Sequence, residues 1–228
     1  LKGGHEVWGV ARSDQSNSHP RFTYRACDIT DEVVMSQVVE EMIRKKFYPE
    51  AVILNAGIEK PDTQAGYDHA VGKEIFRTNY DGAMYWVDRF LRVEQPPQQF
   101  VAVSSVFAMR PNEHSISYSA SKAAISMAFR GLRLQFDRQQ TQFKLIYLLG
   151  VNTLIKPAYQ KYMTKKPPFF VITSKKAAAL IINSLNQNRE NFYSHYFLNL
   201  FRVFFILYSV FFYFFFSLHE YRHQRGNR

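Results

Sequence analysis

The chain has 228 residues, enough for one well-buried domain or a domain with an appendage. Its net charge of +10 is almost all late: residues 1–150 hold 18 Lys/Arg against 17 Asp/Glu, and residues 151–228 hold 11 against 2. The single cysteine, Cys27, excludes an internal disulfide framework and fits a reducing compartment. No cleavable signal peptide opens the sequence, and no methionine starts it. The late basic residues flank an apolar segment instead of forming a stripe with readout residues between them. That placement argues against nucleic acid as a partner and for an anionic membrane surface.

In chain order, residues 6–11 are a short apolar run that predicts a buried strand, with Arg12 at its end. Phe22–Ala26 predicts a second strand, followed by Asp28. Thr30 and Asp31 then offer caps to a helix carrying Val34, Val38 and Met42 at helical spacing, barred from continuing by Pro49. Glu40 and Glu41 read as its solvated face. Ala51–Leu54 predicts a buried strand, and it runs directly into Asn55, Ala56 and Gly57. After a polar loop from Glu59 to Gly66, one long helix is expected over 67–93, with His69 on its surface and Asn79 in its middle. A mid-helix asparagine is mildly unfavourable.

A strand over 100–103 delivers Ser104 and Ser105 to a strand end, where open α/β sheets carry their chemistry. A helix follows from Tyr118 to about residue 138, placing Tyr118 and Lys122 on one face. Its buried side is expected near Ala124, Met127 and Ala128, and Ala120, Ala123 and Ala124 permit close packing on a sheet or a symmetric partner. Pairing His114 with Ser105 for acyl transfer lacks the Gly-x-Ser-x-Gly elbow and is set aside. A strand over 143–148, a basic proline-containing stretch at 154–170 and a helix capped by Thr173-Ser174 and running to Leu185 complete an alternating α/β pattern.

The end of the chain differs. Val203 to Leu218 is sixteen residues without a charge, nine of them Phe or Tyr. As a helix it would span roughly 24 Å, short of a hydrocarbon core of about 30 Å. It suits lying in or dipping into a bilayer, and Arg222, His223, Arg225 and Arg228 follow as a cytoplasmic flank. His219 and His223 have helical metal-ligand spacing without acidic or cysteine company, so no metal is expected. The expected location is a membrane surface with the catalytic domain in the cytoplasm. If the tail is instead buried in a homodimer, the location is simply cytoplasmic.

Ser105, thirteen positions before Tyr118-Ser119-Ala120-Ser121-Lys122, together with Asn55-Ala56-Gly57 after an apolar strand, resembles the short-chain dehydrogenase/reductase family. The resemblance covers about residues 1–190. It implies a Rossmann-like, doubly wound parallel α/β sheet as the catalytic domain, with residues 191–228 a hydrophobic C-terminal helix that associates with membranes. It also implies an NAD(P)-dependent oxidoreductase that interconverts an alcohol and a carbonyl, the tail suggesting a lipophilic substrate.

In that scheme Tyr118 handles the proton, Lys122 favours its phenolate and binds the nicotinamide ribose, Ser105 holds the substrate oxygen, and Asn79 completes the relay through a water. Cofactor contacts fall to Arg12, Asp28 at the adenine, Asn55, Ala56, Gly57, Tyr118, Lys122, Val151 and Thr153. Arg12, where an acidic residue would bind a ribose 2′-hydroxyl, argues for NADP(H) over NAD(H). Two departures stand out. Leu149 replaces an expected glycine beside the nicotinamide. The first strand and its glycine-rich phosphate turn, roughly thirty positions, are missing, which would leave two strand edges facing each other and weaken cofactor binding. The expectation is a truncated record of a longer enzyme, with a non-catalytic membrane or interaction protein on a degenerate scaffold as the alternative.

Overall fold

The computed structural model describes residues 4–13, 19–60, 66–110, 112, 114–136, 140–152 and 171–195. Strands β1 (Val7–Ala11) and β2 (Phe22–Ala26) precede helix α1 (Glu32–Arg44) and strand β3 (Ala51–Leu54). Helix α2 (His69–Phe76) passes through a π-helical turn, Arg77–Asp81, into α3 (Gly82–Leu91). Strand β4 (Gln99–Ser105) ends in a 3₁₀ turn, Val106–Ala108, and is followed by α4 (Ile116–Gln135) and β5 (Gln142–Leu148). The short strands β6 (Val151–Asn152) and β7 (Ile172–Thr173), helix α5 (Ser174–Leu185) and β8 (Asn191–Tyr193) complete the described elements.

The sheet is Rossmann-like but comes in parts. Strands β3, β4, β5 and β8 lie side by side in that order, β1 pairs with β2, and β6 pairs with β7. The β1–β2, β3–β4, β4–β5 and β6–β7 ladders are parallel. Among the described residues no strand joins β1 to β3. In the doubly wound order 3-2-1-4-5-6 that interval is the place of the first strand.

Two faces of the four-stranded sheet are covered by different helices. On one, Phe100 of β4 stacks on Phe143 of β5 at 5.4 Å between centroids, and Phe129 of α4 meets Phe143 edge-on at 5.7 Å. On the other, Val101, Ile146 and Phe192 pack with Leu180, Ile181 and Leu185 of α5. The alternation of Phe100 and Val101 between faces is the period-two rule of strands, and both faces are apolar because a parallel sheet is covered twice. Lys144 is the exception in β5. Its buried ammonium donates to Gln99 Oε1 at 2.7 Å and to the carbonyls of Ser184 (2.8 Å) and Gln187 (2.9 Å) near the C-terminus of α5. Burial pulls its pKa below the ordinary lysine value.

Several expectations need correction. β3 is an edge strand, so Ile53 is 42% exposed and the strand is less buried than β4 or β5. α4 turns Ile125 and Phe129 inward, whereas Met127 is 65% and Leu134 90% exposed. The helix expected over 67–93 starts at His69 and changes pitch at Asn79. On the solvated face of α1, Glu40 is exposed and Glu41 is half-buried in ion pairs with Arg25 and Lys45, whose hydrogen bonds draw its carboxyl down to about 2. α1 is capped by Asp31, whose carboxylate accepts from the backbone N–H of Val33 and Val34.

Candidate active site

β4 ends on two serines that alternation sends in different directions. Ser104 faces α4, 2.8 Å from Ser126 Oγ and 3.3 Å from the Lys122 carbonyl, which also accepts from Ser126 at 2.7 Å. It fastens α4 to β4 and is buried by that task. Ser105 instead caps the 3₁₀ turn, accepting from Phe107 N at 3.2 Å, and its hydroxyl lowers the Tyr118 pKa against the pull of burial. Of the two serines, Ser105 is therefore the one that acts on the phenol.

Tyr118 and Lys122 lie one helical turn apart on the inner side of α4. The Lys122 ammonium stands 5.8 Å from the Tyr118 ring centroid and donates to the Val103 carbonyl at 2.9 Å. Lys122 is buried, and burial lowers its pKa to about 8 against an opposing pull from Glu59. Tyr118 is pushed up to about 12, first by burial and then by Glu59, with the Ser105 hydrogen bond working the other way. Burial thus works against the phenolate on Tyr118 and against the ammonium on Lys122. Phe107 meets the Tyr118 ring edge-on at 6.5 Å.

Asn79 is buried in the π-helical turn, a distortion often found at functional sites. Its Oδ1 accepts from Ile58 N at 2.8 Å, and its Nδ2 donates to Ile58 O at 2.9 Å and Ser121 Oγ at 3.0 Å. Ser121 in turn donates to the Tyr118 carbonyl at 2.8 Å. The amide thus clamps the loop after β3 to the helix that carries Tyr118. Gly57 is small for a reason beyond cofactor approach: a Cβ there would lie 3.2 Å from Asn79 Oδ1 and 3.3 Å from Lys122 Nζ. Asn55 and Ala56 are exposed at the end of β3.

The other expected cofactor residues sit at the ends of β1 and β2. Arg12 is exposed just beyond β1. Asp28 accepts from Thr30 N and Thr30 Oγ1, both at 2.9 Å, and these bonds with the nearby Arg12 and Arg77 hold its carboxyl below the usual range. Val151 lies in β6, opposite Ile172. Thr153, the 154–170 stretch and the apolar tail lie outside the described residues.

Two residues escaped the sequence reading. Gly82 opens α3 against the Ile29 backbone, where a methyl group would collide with the carbonyl oxygen. Glu59 acts on both Tyr118 and Lys122, and its Oε1 accepts from Ser115 Oγ at 3.4 Å. Its only signal in the sequence is its place two positions after Asn-Ala-Gly.

The residues present fit a nicotinamide dinucleotide at two ends. The exposed Arg12 guanidinium near the Asp28 carboxylate could hold a nucleoside end, and the Lys122 ammonium near the Tyr118 phenol and Ser105 could hold a ribose and a substrate oxygen. Among the described residues no glycine-rich turn cradles the phosphates between them. Fold and site together define the class: a Rossmann-like oxidoreductase acting on CH–OH groups.

Comparison with known proteins agrees. The model of the short chain dehydrogenase family matches residues 7–163, and the chain belongs to that family. It is 21% identical over 173 residues to the 3-oxoacyl-(acyl-carrier-protein) reductase FabG of Buchnera aphidicola, covering 68% of this chain and 71% of the relative. Among solved structures, a short chain dehydrogenase from Burkholderia cenocepacia in complex with NADP superposes with a TM-score of 0.68. It is 21% identical, covering 83% of this chain and 76% of the other. A 4-hydroxyisoleucine dehydrogenase complexed with NADH superposes with a TM-score of 0.66 at 15% identity, covering 84% and 86%. Fold neighbours thus occur with either nicotinamide cofactor.

Proposed function

We propose that the protein is an NADP(H)-dependent oxidoreductase that reduces a lipophilic carbonyl compound, using Ser105, Tyr118, Lys122 and Asn79. The observation that carries this reading is the buried Lys122 ammonium 5.8 Å from the Tyr118 ring, with Ser105 at the end of β4 acting on the same phenol. When bound, the cofactor supplies the hydride.

Everything else falls to the chain. Ser105 and Tyr118 hold the carbonyl oxygen, and Tyr118 gives its proton to the alkoxide as it develops. A phenolate whose conjugate acid titrates at about 12 is then reprotonated downhill by a lysine titrating at about 8. That ordering favours reduction. Asn79 positions the relay by holding Ile58 and Ser121. Phe107 provides an apolar wall beside the phenol, and the aromatic tail adds support for a lipophilic substrate and for attachment to a membrane surface. Ile116, Met127 and Leu134, exposed on α4, support pairing with a second copy. Arg12 supports the choice of NADP(H).

Tyr118→Phe tests the reading. Carbonyl reduction is expected to fall by roughly 10²–10⁴-fold while cofactor affinity, measured by fluorescence titration, is unchanged. A variant that still reduces at near the wild-type rate defeats it.

A further inference from the structure

We propose that Glu59 is a positioning residue of this site, its carboxylate serving as the counter-charge of the buried Lys122 ammonium. The inference rests on the oxidoreductase reading and deepens it. A cation removed from water needs either full hydrogen bonding or a compensating charge. The hydrogen bond recorded for Lys122 goes to the neutral Val103 carbonyl. The loop after β3 approaches the ammonium so closely that a Cβ on Gly57 would lie 3.3 Å from Nζ. Glu59 follows two residues later, and its position is held from both sides. Asn79 grips both backbone groups of Ile58, and Ser115 at the start of α4 donates to Glu59 Oε1.

Other charged groups on the neighbouring elements are directed elsewhere. Lys60 pairs with Glu74 of α2, Arg77 donates to the Thr30 carbonyl at 3.3 Å, and Lys73, Arg110 and His114 are exposed. Asp68 caps α2, Tyr67 is exposed, and Tyr80 in the π-helical turn is half-buried. The electrostatics agree with the geometry, since Glu59 raises the proton affinity of Lys122 and Tyr118 alike. Glu59 thereby keeps Tyr118 a neutral phenol and Lys122 an ammonium at a pH where burial alone would strip the lysine, which suits a reductase.

The test needs no turnover. The full chain is labelled with ¹³Cε-lysine, the Lys122 resonance is assigned by its loss in Lys122→Met, and its titration is followed by NMR in wild type, Glu59→Gln and Glu59→Asp. The Lys122 midpoint is expected to fall by roughly one pH unit in Glu59→Gln. Glu59→Asp, which keeps the charge, should retain most of the wild-type midpoint. An unchanged midpoint in Glu59→Gln overturns the proposal. An equal fall in Glu59→Asp also overturns it, because loop geometry and not charge would then be responsible. In carbonyl reduction, the alkaline limb of kcat should move down by the same amount in Glu59→Gln with KM unaltered. The two readings fail separately: an active Tyr118→Phe removes the oxidoreductase mechanism and leaves the Lys122 titration standing, whereas an unmoved titration removes Glu59 alone.

Discussion

The two-stranded and the four-stranded portions of the sheet share a parallel geometry but not a degree of burial. In β4 and β5 nearly every residue is buried, under α4 on one face and α5 on the other. In β1 all five residues are half-buried, and β2 is similar. β3, with a partner on one side only, exposes Ile53. A parallel strand is fully buried only when it has neighbours on both edges and cover on both faces. Ser105, Tyr118 and Lys122 belong to the well-covered portion, and Arg12 and Asp28 follow strands of the other. The burial that brings Lys122 to about 8 belongs to the first, whereas Arg12 reaches solvent.

The contrast can be broken first through stability. Phe143→Ala removes the ring that Phe100, Phe129 and Phe136 all touch, and chemical denaturation should show a loss of about 3–5 kcal/mol. Val10→Ala in half-buried β1 should lose no more than about 1 kcal/mol. Equal losses would mean that the two portions form one evenly packed core. Native-state hydrogen exchange gives the same comparison without mutation, with β1 and β2 amides expected to exchange faster than those of β4 and β5.

Lys122 offers the next largest effect, in the opposite direction. Its folded pKa of about 8 lies below the ordinary 10.5, so the unfolded chain holds the proton more tightly. Stability is therefore depressed at pH below about 8 and recovers as pH rises from 8 towards 10.5. Lys122→Met should remove that rise and stabilise the protein at neutral pH by up to about 3 kcal/mol. A flat wild-type profile over this range would show that the lysine is not desolvated.

Arg12 probes the less covered portion through binding. Arg12→Ala should weaken NADPH binding about tenfold, roughly 1.4 kcal/mol, and leave NADH binding unchanged. Equal losses for both cofactors would remove the 2′-phosphate assignment and leave the catalytic end untouched. Glu41 should give the smallest effect. Its carboxyl titrates at about 2, so its contribution is complete above the ordinary carboxylate range and lost as pH falls towards 2. Because the cluster with Arg25 and Lys45 is partly solvated, Glu41→Gln should lose under about 1 kcal/mol at neutral pH. A loss several times larger would make this cluster a main support of the β1–β2 portion.

Much of this was legible along the chain because it depends on short-range pattern. Apolar runs located β1 to β5, α1 ends before Pro49 could be reached, and four-residue spacing put Tyr118 and Lys122 on one side of α4. The interval between β1 and β3 was implied only by the family's usual strand order, not by the pattern of the chain. What could not be read depended on which segment meets which across space. Ser104 and Ser105 are adjacent and chemically identical, and only packing against Ser126 and Tyr118 separates a fastener from a member of the site. Gly82 looks like any helix glycine until Ile29 is beside it, and Glu59 looks like loop polarity until its charge is set against a buried lysine. The identity of the reacting groups is a local property of residue type and spacing. Their protonation is set by the loss of water and the approach of distant charges, which exist only once the chain has closed around them.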